Sequence, residues 1–485
     1  MIGRIMTAGL RVAAAAAIAS IVAGCSVNPA TGERQLTLIG EAQEIQMGRE
    51  ADQEISASLG LYADEAAQRY VSALGQELAA RSERPDLPWS FKVVDDPIVN
   101  AFALPGGFIY VTRGILAHLS SEAELAGVLG HEIGHVTGRH SVERLSKAQL
   151  ATAGLGVGMV LSPRFRQFGD VAQMGMGLLF LKYSRDDERE ADELGLRYSL
   201  RGGYDAREMP EVFTVLKRVG EVAGAGDIPN WLATHPDPEA RRERIQGMLE
   251  GRDAEFAGLK VGRSSYFERL DGMVFGADPR QGFFRDGVFY HPDLAFRMSF
   301  PQGWKTSNQR QAVIAINESQ DALLQLTLAQ DADPGAAVQR FLGQDGVEGG
   351  SVQSTRVNGL PAAWATFRVP DDQTPLTGRV VCIRHGKSTI QLMAIAKSDS
   401  WGANDSALES SQRSFARLTD RRILDVQPAR LRLVKLPRAM TLRQFAERYP
   451  SSIDLENLAL INHVQADDRL EAGATLKRVV GGLDG

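Results

Sequence analysis

The run His131-Glu132-Ile133-Gly134-His135 sets two imidazoles four residues apart with a carboxylate beside the first. In a helix, both rings fall on one face about one turn from each other. They can then grip one metal ion, since ring nitrogens at about 2.0–2.1 Å suit a tetrahedral Zn²⁺. Glu132, rotated off that face, can reach a water polarised by the metal and act as general base, which is the chemistry of hydrolysis. Two nitrogens do not complete such a site, so a third ligand must come from elsewhere. Downstream, the run from Tyr183 to Gly195 is rich in helix formers and places Glu188 and Asp192 at i and i+4 on one face. One can bind the metal while the other orients a histidine ligand.

The elements that must hold these groups can be read around them. Ser121 and Glu124 have the spacing of a capping box that opens the histidine helix. Helical periodicity runs from Glu41 to about Leu59 and again from Tyr62 to Ala80, where Tyr70, Leu74 and Leu78 form an apolar stripe, and these helices read as a brace. A strand is expected at Phe91–Val94, then a turn at Asp95-Asp96-Pro97. The segment Asn100–Val111 reads as a strand broken by Pro105-Gly106-Gly107. His140, in Gly138-Arg139-His140, is expected to be exposed or hydrogen-bonded and not a ligand. The apolar runs Leu150–Leu161 and Val171–Leu181 fall short of the roughly 20 residues of a spanning helix and suggest a short helical hairpin, either core packing or a lid. Asp205 caps a further helix to about Val219.

A His-Glu-x-x-His helix followed by Glu-x-x-x-Asp on a second helix resembles the gluzincin layout. Asn100–Val111 just upstream, Ala233-Thr234-His235-Pro236 downstream and Arg241 beyond it sharpen the match. Residues 28–250 are similar to zinc metallopeptidase family forty-eight, the group of HtpX and the CAAX prenyl proteases, and most similar to its periplasmic BepA- and LoiP-type members. That resemblance implies one Zn²⁺ per chain on His131, His135 and Glu188, with Glu132 as base and Asp192 fixing the tautomer of a ligand histidine. It implies that His235 lies across the site, either stabilising the oxyanion or serving as a fourth ligand that holds the enzyme shut; a packing histidine is the third reading. Arg241 either pairs with a carboxylate near the site or lies on the surface. The Asn100–Val111 segment is implied to offer a sheet edge to which a peptide substrate adds as an extra strand. A hairpin turn that merely covers the helix is the alternative.

With 485 residues the chain exceeds one ordinary core, so two to four domains are expected. A formal net charge of -6 argues against a nucleic-acid binder, which is more often basic. Residues 1–24 read as a targeting segment: Arg4 and Arg11 precede the apolar run Val12–Val22, and Val22-Ala23-Gly24-Cys25 ends in cysteine. This resembles a bacterial lipoprotein signal, which implies a lipid on Cys25 and, with Ser26 next, a periplasmic protein at the outer membrane. Cys382 then stands alone and reads as a small buried hydrophobe.

The fold class expected is multidomain α+β. A lead-in over 25–40 precedes a mainly α peptidase domain over 41–250 with a small edge sheet. A linker over 251–283 leads to an antiparallel α+β domain over 284–422, where Pro301-Gln302-Gly303-Trp304 resembles the PsbP/DcrB type. Residues 424–485 are similar to a LysM module, which implies contact with peptidoglycan. The function expected is a zinc metalloendopeptidase acting on polypeptides in the bacterial envelope, in protein quality control. The alternatives are an envelope chaperone or assembly factor with a latent zinc site, and a cell-wall-binding protein.

Overall fold

The computed structural model describes residues 25–155, 182–223, 231, 234–371 and 374–483. The targeting segment and most of the expected apolar hairpin lie outside them. The described residues are mixed α and β with several sheets, and they divide into two compact units. One contains the motif residues together with 430–480, and the other spans 277–429.

The first unit opens with a hairpin, β1 (Cys25–Val27) and β2 (Arg34–Leu36), where the sequence suggested an irregular lead-in. The Thr31-Gly32 turn explains the difference: Gly32 takes φ +77°, which closes the chain back on itself. Helix α1 (Glu41–Leu59) buries Glu44, Gly48, Ala51 and Ile55. Helix α2 (Glu65–Ala79) starts at Asp64, whose carboxylate accepts from the Ala66 and Ala67 amides, and buries Val71, Leu74 and Leu78. Then come β3 (Ser90–Val94), β4 (Ala101–Leu104) and β5 (Phe108–Thr112), in the order β3-β5-β4. β5 is parallel to β3 and antiparallel to β4, so among the described strands β4 is an edge. Gly106 and Gly107, at φ +79° and +101°, make the turn between β4 and β5.

A short helix, α3 (Arg113–His118), leads into α4 (Glu122–Thr137), all of whose residues are buried. Its cap differs from the expected box. Ser121 does accept from the Glu124 amide, but the Glu124 carboxylate turns to the Ser120 amide at 2.7 Å. Helices α5 (His140–Leu155), α6 (Arg185–Arg201), α7 (Met209–Ala223) and α8 (Pro238–Leu249) follow. The stretch expected as a linker carries two short helices, Asp253–Phe256 and Arg263–Leu270, because Phe256, Tyr266 and Phe267 are buried and demand ordered backbone.

The second unit is built on an eight-stranded antiparallel sheet centred on Leu360–Val369, Leu376–His385 and Ser388–Lys397. Apolar clusters cover both faces, one with Phe289, Phe296 and Phe415, the other with Val338, Phe341 and Cys382. Cys382 is fully buried there, as a small hydrophobe.

In the last block Arg430–Lys435 pairs antiparallel with Thr475–Val480, and helices Leu442–Arg448 and Leu455–Asn462 lie between them in sequence. This strand-helix-helix-strand segment packs into the first unit. Lys477, fully buried, donates to the Ala117 and Leu119 carbonyls at 3.1 and 2.8 Å, just ahead of α4. No described helix is long and apolar enough to cross a membrane.

Candidate metal centre

Small residues decide how α4 and α6 meet. A Cβ on Gly130 would lie 2.9 Å from the Gly195 carbonyl oxygen, one on Gly134 3.0 Å from Ala191 Cα, and one on Gly195 2.9 Å from the His131 amide nitrogen. Only glycine at these positions lets the two backbones come this close. The approach carries the acidic face of α6 to the histidine face of α4.

His131, His135, Glu188 and His235 there offer ligand atoms that all lie within 4.8 Å of one another, and all four are buried. His131 Nε2 and His135 Nε2 are 3.0 Å apart, and each is 3.6 Å from a Glu188 carboxylate oxygen. His235 Nδ1 lies 2.8 Å from Glu188 Oε1 and 3.4 Å from His131 Nε2. Asp192 Oδ1 sits 3.0 Å from His131 Nδ1, so that nitrogen carries the proton and Nε2 keeps its lone pair for the shared centre. Arg241 is buried, not on the surface, and donates to Asp192 at 2.6 Å while pairing with Glu188 at 2.8 Å.

The electrostatics follow from burial and these partners. Burial, then the neighbouring histidines, pushes His135 well below the usual imidazole range, so the ring is neutral as a ligand must be. Burial raises Glu132. Burial also acts to raise Glu188 and Asp192, but their partners outweigh it: neighbouring His235 and the Arg241 guanidinium bring Glu188 below the carboxylate range, and Arg241 together with the His131 N–H does the same for Asp192. Both Glu132 oxygens are buried without a hydrogen-bond partner among the described residues, and Oε1 is 3.8 Å from His235 Nε2. An unpartnered buried carboxylate is costly unless something else is meant to meet it. Three imidazoles and one carboxylate directed at one point are the donors Zn²⁺ prefers, and the set fits a single zinc ion.

Residues 65–249 match the model of Peptidase family M48. This chain carries an M48 peptidase domain. Over 167 residues it is 37% identical to the mitochondrial metalloendopeptidase OMA1 of Arabidopsis thaliana, covering 34% of this chain and 33% of that one. Over 211 residues it is 30% identical to the beta-barrel assembly-enhancing protease of Yersinia pestis, covering 41% and 42%. The chain thus spans less than half the length of these two relatives. Among solved structures, cyanobacterial PsbP from Synechocystis has a TM-score of 0.23 at 13% identity, over 27% of this chain and 91% of that one.

The M48 domain also contains residues to which sequence reasoning gave no part. Tyr183 stacks on His135 with ring centroids 3.8 Å apart, and Trp231 stacks on His235 at 4.8 Å. His140, expected to be exposed or hydrogen-bonded, is buried and hydrogen-bonded, with Nδ1 2.9 Å from His135 Nδ1. Its place five residues after the second histidine, one helical turn and a cap further on, is the signal that could have found it. A small cavity beside Glu132 is lined by Val128, Met209, Val212, Phe213 and Trp231.

Proposed function

We propose that this protein is a zinc-dependent metalloendopeptidase that cleaves polypeptides in the bacterial cell envelope, in protein quality control. The observation that carries the reading is the convergence of His131, His135 and Glu188 from two helices beside the unpartnered Glu132 carboxylate. His131, His135 and Glu188 would hold the ion. Bound zinc supplies Lewis acidity, polarising a carbonyl and easing the deprotonation of water. Glu132 takes a proton from the water that attacks the scissile carbonyl carbon, and its raised affinity for that proton suits it to carry it to the leaving amine. Asp192 keeps the His131 proton on Nδ1. The edge of β4 carries the backbone groups on which a substrate strand would pair.

The position of His235 supports a shut resting state. Its Nδ1 shares the ligand cluster, where it would fill the coordination position that hydrolysis needs open. Withdrawal of His235 would then admit water and substrate. The same reading assigns a lipid to Cys25, which labelling with a fatty acid tests against Cys25→Ser, and it assigns glycan contact to 424–485, which sedimentation with peptidoglycan tests. For the peptidase itself, zinc content is measured together with cleavage of casein. One zinc per chain and cleavage that stops on chelation and returns with zinc are expected; cleavage indifferent to chelation overturns the reading.

A further inference from the structure

Behind His135 a line of polar groups runs away from the ligand cluster to the first hairpin of the chain. His135 Nδ1 and His140 Nδ1 lie 2.9 Å apart, so one must donate and the other accept. With His135 Nε2 committed to the shared centre, its Nδ1 holds the proton and His140 Nδ1 accepts it. His140 then carries its own proton on Nε2, which faces Glu190 Oε1 at 3.4 Å and has no closer partner among the described residues. The same Glu190 oxygen accepts from Asn28 Nδ2 at 2.6 Å. Asn28 is 1% exposed and lies three residues after Cys25. Its own carbonyl and side-chain oxygens close the hairpin turn on the amides of Gly32 and Ala30.

Two further features show that this path is built. Gln35, on the returning strand, donates to the Gly138 carbonyl at 2.7 Å, so the hairpin grips the end of α4 at a second point. Gly138 has an ordinary helical φ of -72° and needs no glycine for its backbone. A Cβ there, however, would lie 2.5 Å from His140 Nε2 and 2.7 Å from Glu190 Oε1. The missing side chain is the space through which the two groups meet.

We infer that His140, Glu190 and Asn28 are positioning residues that orient His135 toward its metal, and that Asn28 ties this orientation to the hairpin beginning at Cys25. The inference rests on the zinc reading above. A ligand histidine held by outer hydrogen bonds commonly loses about 10–100-fold in metal affinity when they are removed. The hairpin is thereby a working part of the metal centre and not only a spacer.

The test measures zinc affinity of the full chain by competition with a chromophoric chelator, alongside the melting temperature of the metal-free protein. Glu190→Leu is expected to weaken zinc by about tenfold or more, with Glu190→Gln, which keeps an acceptor, recovering much of the loss. Asn28→Leu should weaken it by a smaller factor, and the double variant with Glu190→Leu should be no worse than Glu190→Leu alone. The metal-free melting temperatures should stay together. Variants that bind zinc as wild type does overturn the inference, as do losses that add in the double variant and follow the melting temperature. A wild-type chain that binds no zinc overturns the zinc reading itself, and the relay with it.

Discussion

Asp192 Oδ1 lies 3.0 Å from His131 Nδ1 and at the same time accepts from Arg241 Nη2 at 2.6 Å. The carboxylate must be charged to serve both donors, and Arg241 keeps it so against the effect of burial. Asp192→Asn preserves the shape but offers an amide that can donate, which favours the wrong tautomer of His131. Zinc affinity should fall by about 10–100-fold, read by chelator competition. An unchanged affinity would remove Asp192 from the support of the site.

Glu132→Gln should retain zinc and stability, because the carboxylate oxygens it replaces have no hydrogen-bond partner among the described residues. Cleavage of casein should drop by about 10²–10⁴-fold, the usual contribution of a positioned base. Full activity in the variant would refute the base assignment.

His235→Ala separates two roles. If the ring fills a coordination position at rest, its loss raises basal proteolysis of an unfolded substrate while zinc stays on His131, His135 and Glu188. A lower rate with zinc retained would assign His235 to the oxyanion instead, where removal of one donor costs about 10²–10³-fold.

Much of this centre could be read from local spacing. The His131/His135 pair, the Glu188/Asp192 pair and the apolar stripe of Tyr70, Leu74 and Leu78 each depend on one helix turning at 3.6 residues, and the structure has those helices, with Val71 buried beside Leu74 and Leu78 and Tyr70 only half-buried. What the spacing could not give is how far apart two helices stand. That distance is set by Gly130, Gly134 and Gly195, whose meaning appears only when the partner backbone is present. Arg241 shows the same limit, since its burial depends on two carboxylates on another helix. Lys477 lies in the block that reads in sequence as a separate module, yet it is fully buried against main-chain carbonyls of Ala117 and Leu119, more than 350 residues away. The Asn28 hairpin was missed because its partners, Glu190 and the Gly138 carbonyl, are likewise remote.

The contact between the last block and α4 has its own pH signature. His463 ends helix Leu455–Asn462 in the left-handed region at φ +58°, bonds the His118 carbonyl at 2.6 Å and faces Glu124 at 3.6 Å. Burial, then the Lys477 charge, lowers His463 to about 3, with Arg263 and His118 also nearby. An unfolded histidine titrates near 6.5. Between these values the unfolded chain binds a proton that the folded chain refuses, so stability falls as pH drops through 6.5 and the loss amounts to about 2 kcal/mol at pH 5. His118, lowered to about 4 mainly by burial, acts in the same direction. Glu124, raised to about 8 by burial, acts in the opposite one, gaining stability as pH falls from 8 toward 4.5. The net slope therefore mixes signs, and a variant isolates one member. His463→Asn keeps a residue that tolerates the left-handed backbone and removes the titrating ring. Urea unfolding of the metal-free chain at pH 7.5 and 5.0 should show wild type losing about 2 kcal/mol more than the variant over that interval. Parallel pH profiles for the two proteins would mean that His463 is not buried against α4 in the folded chain.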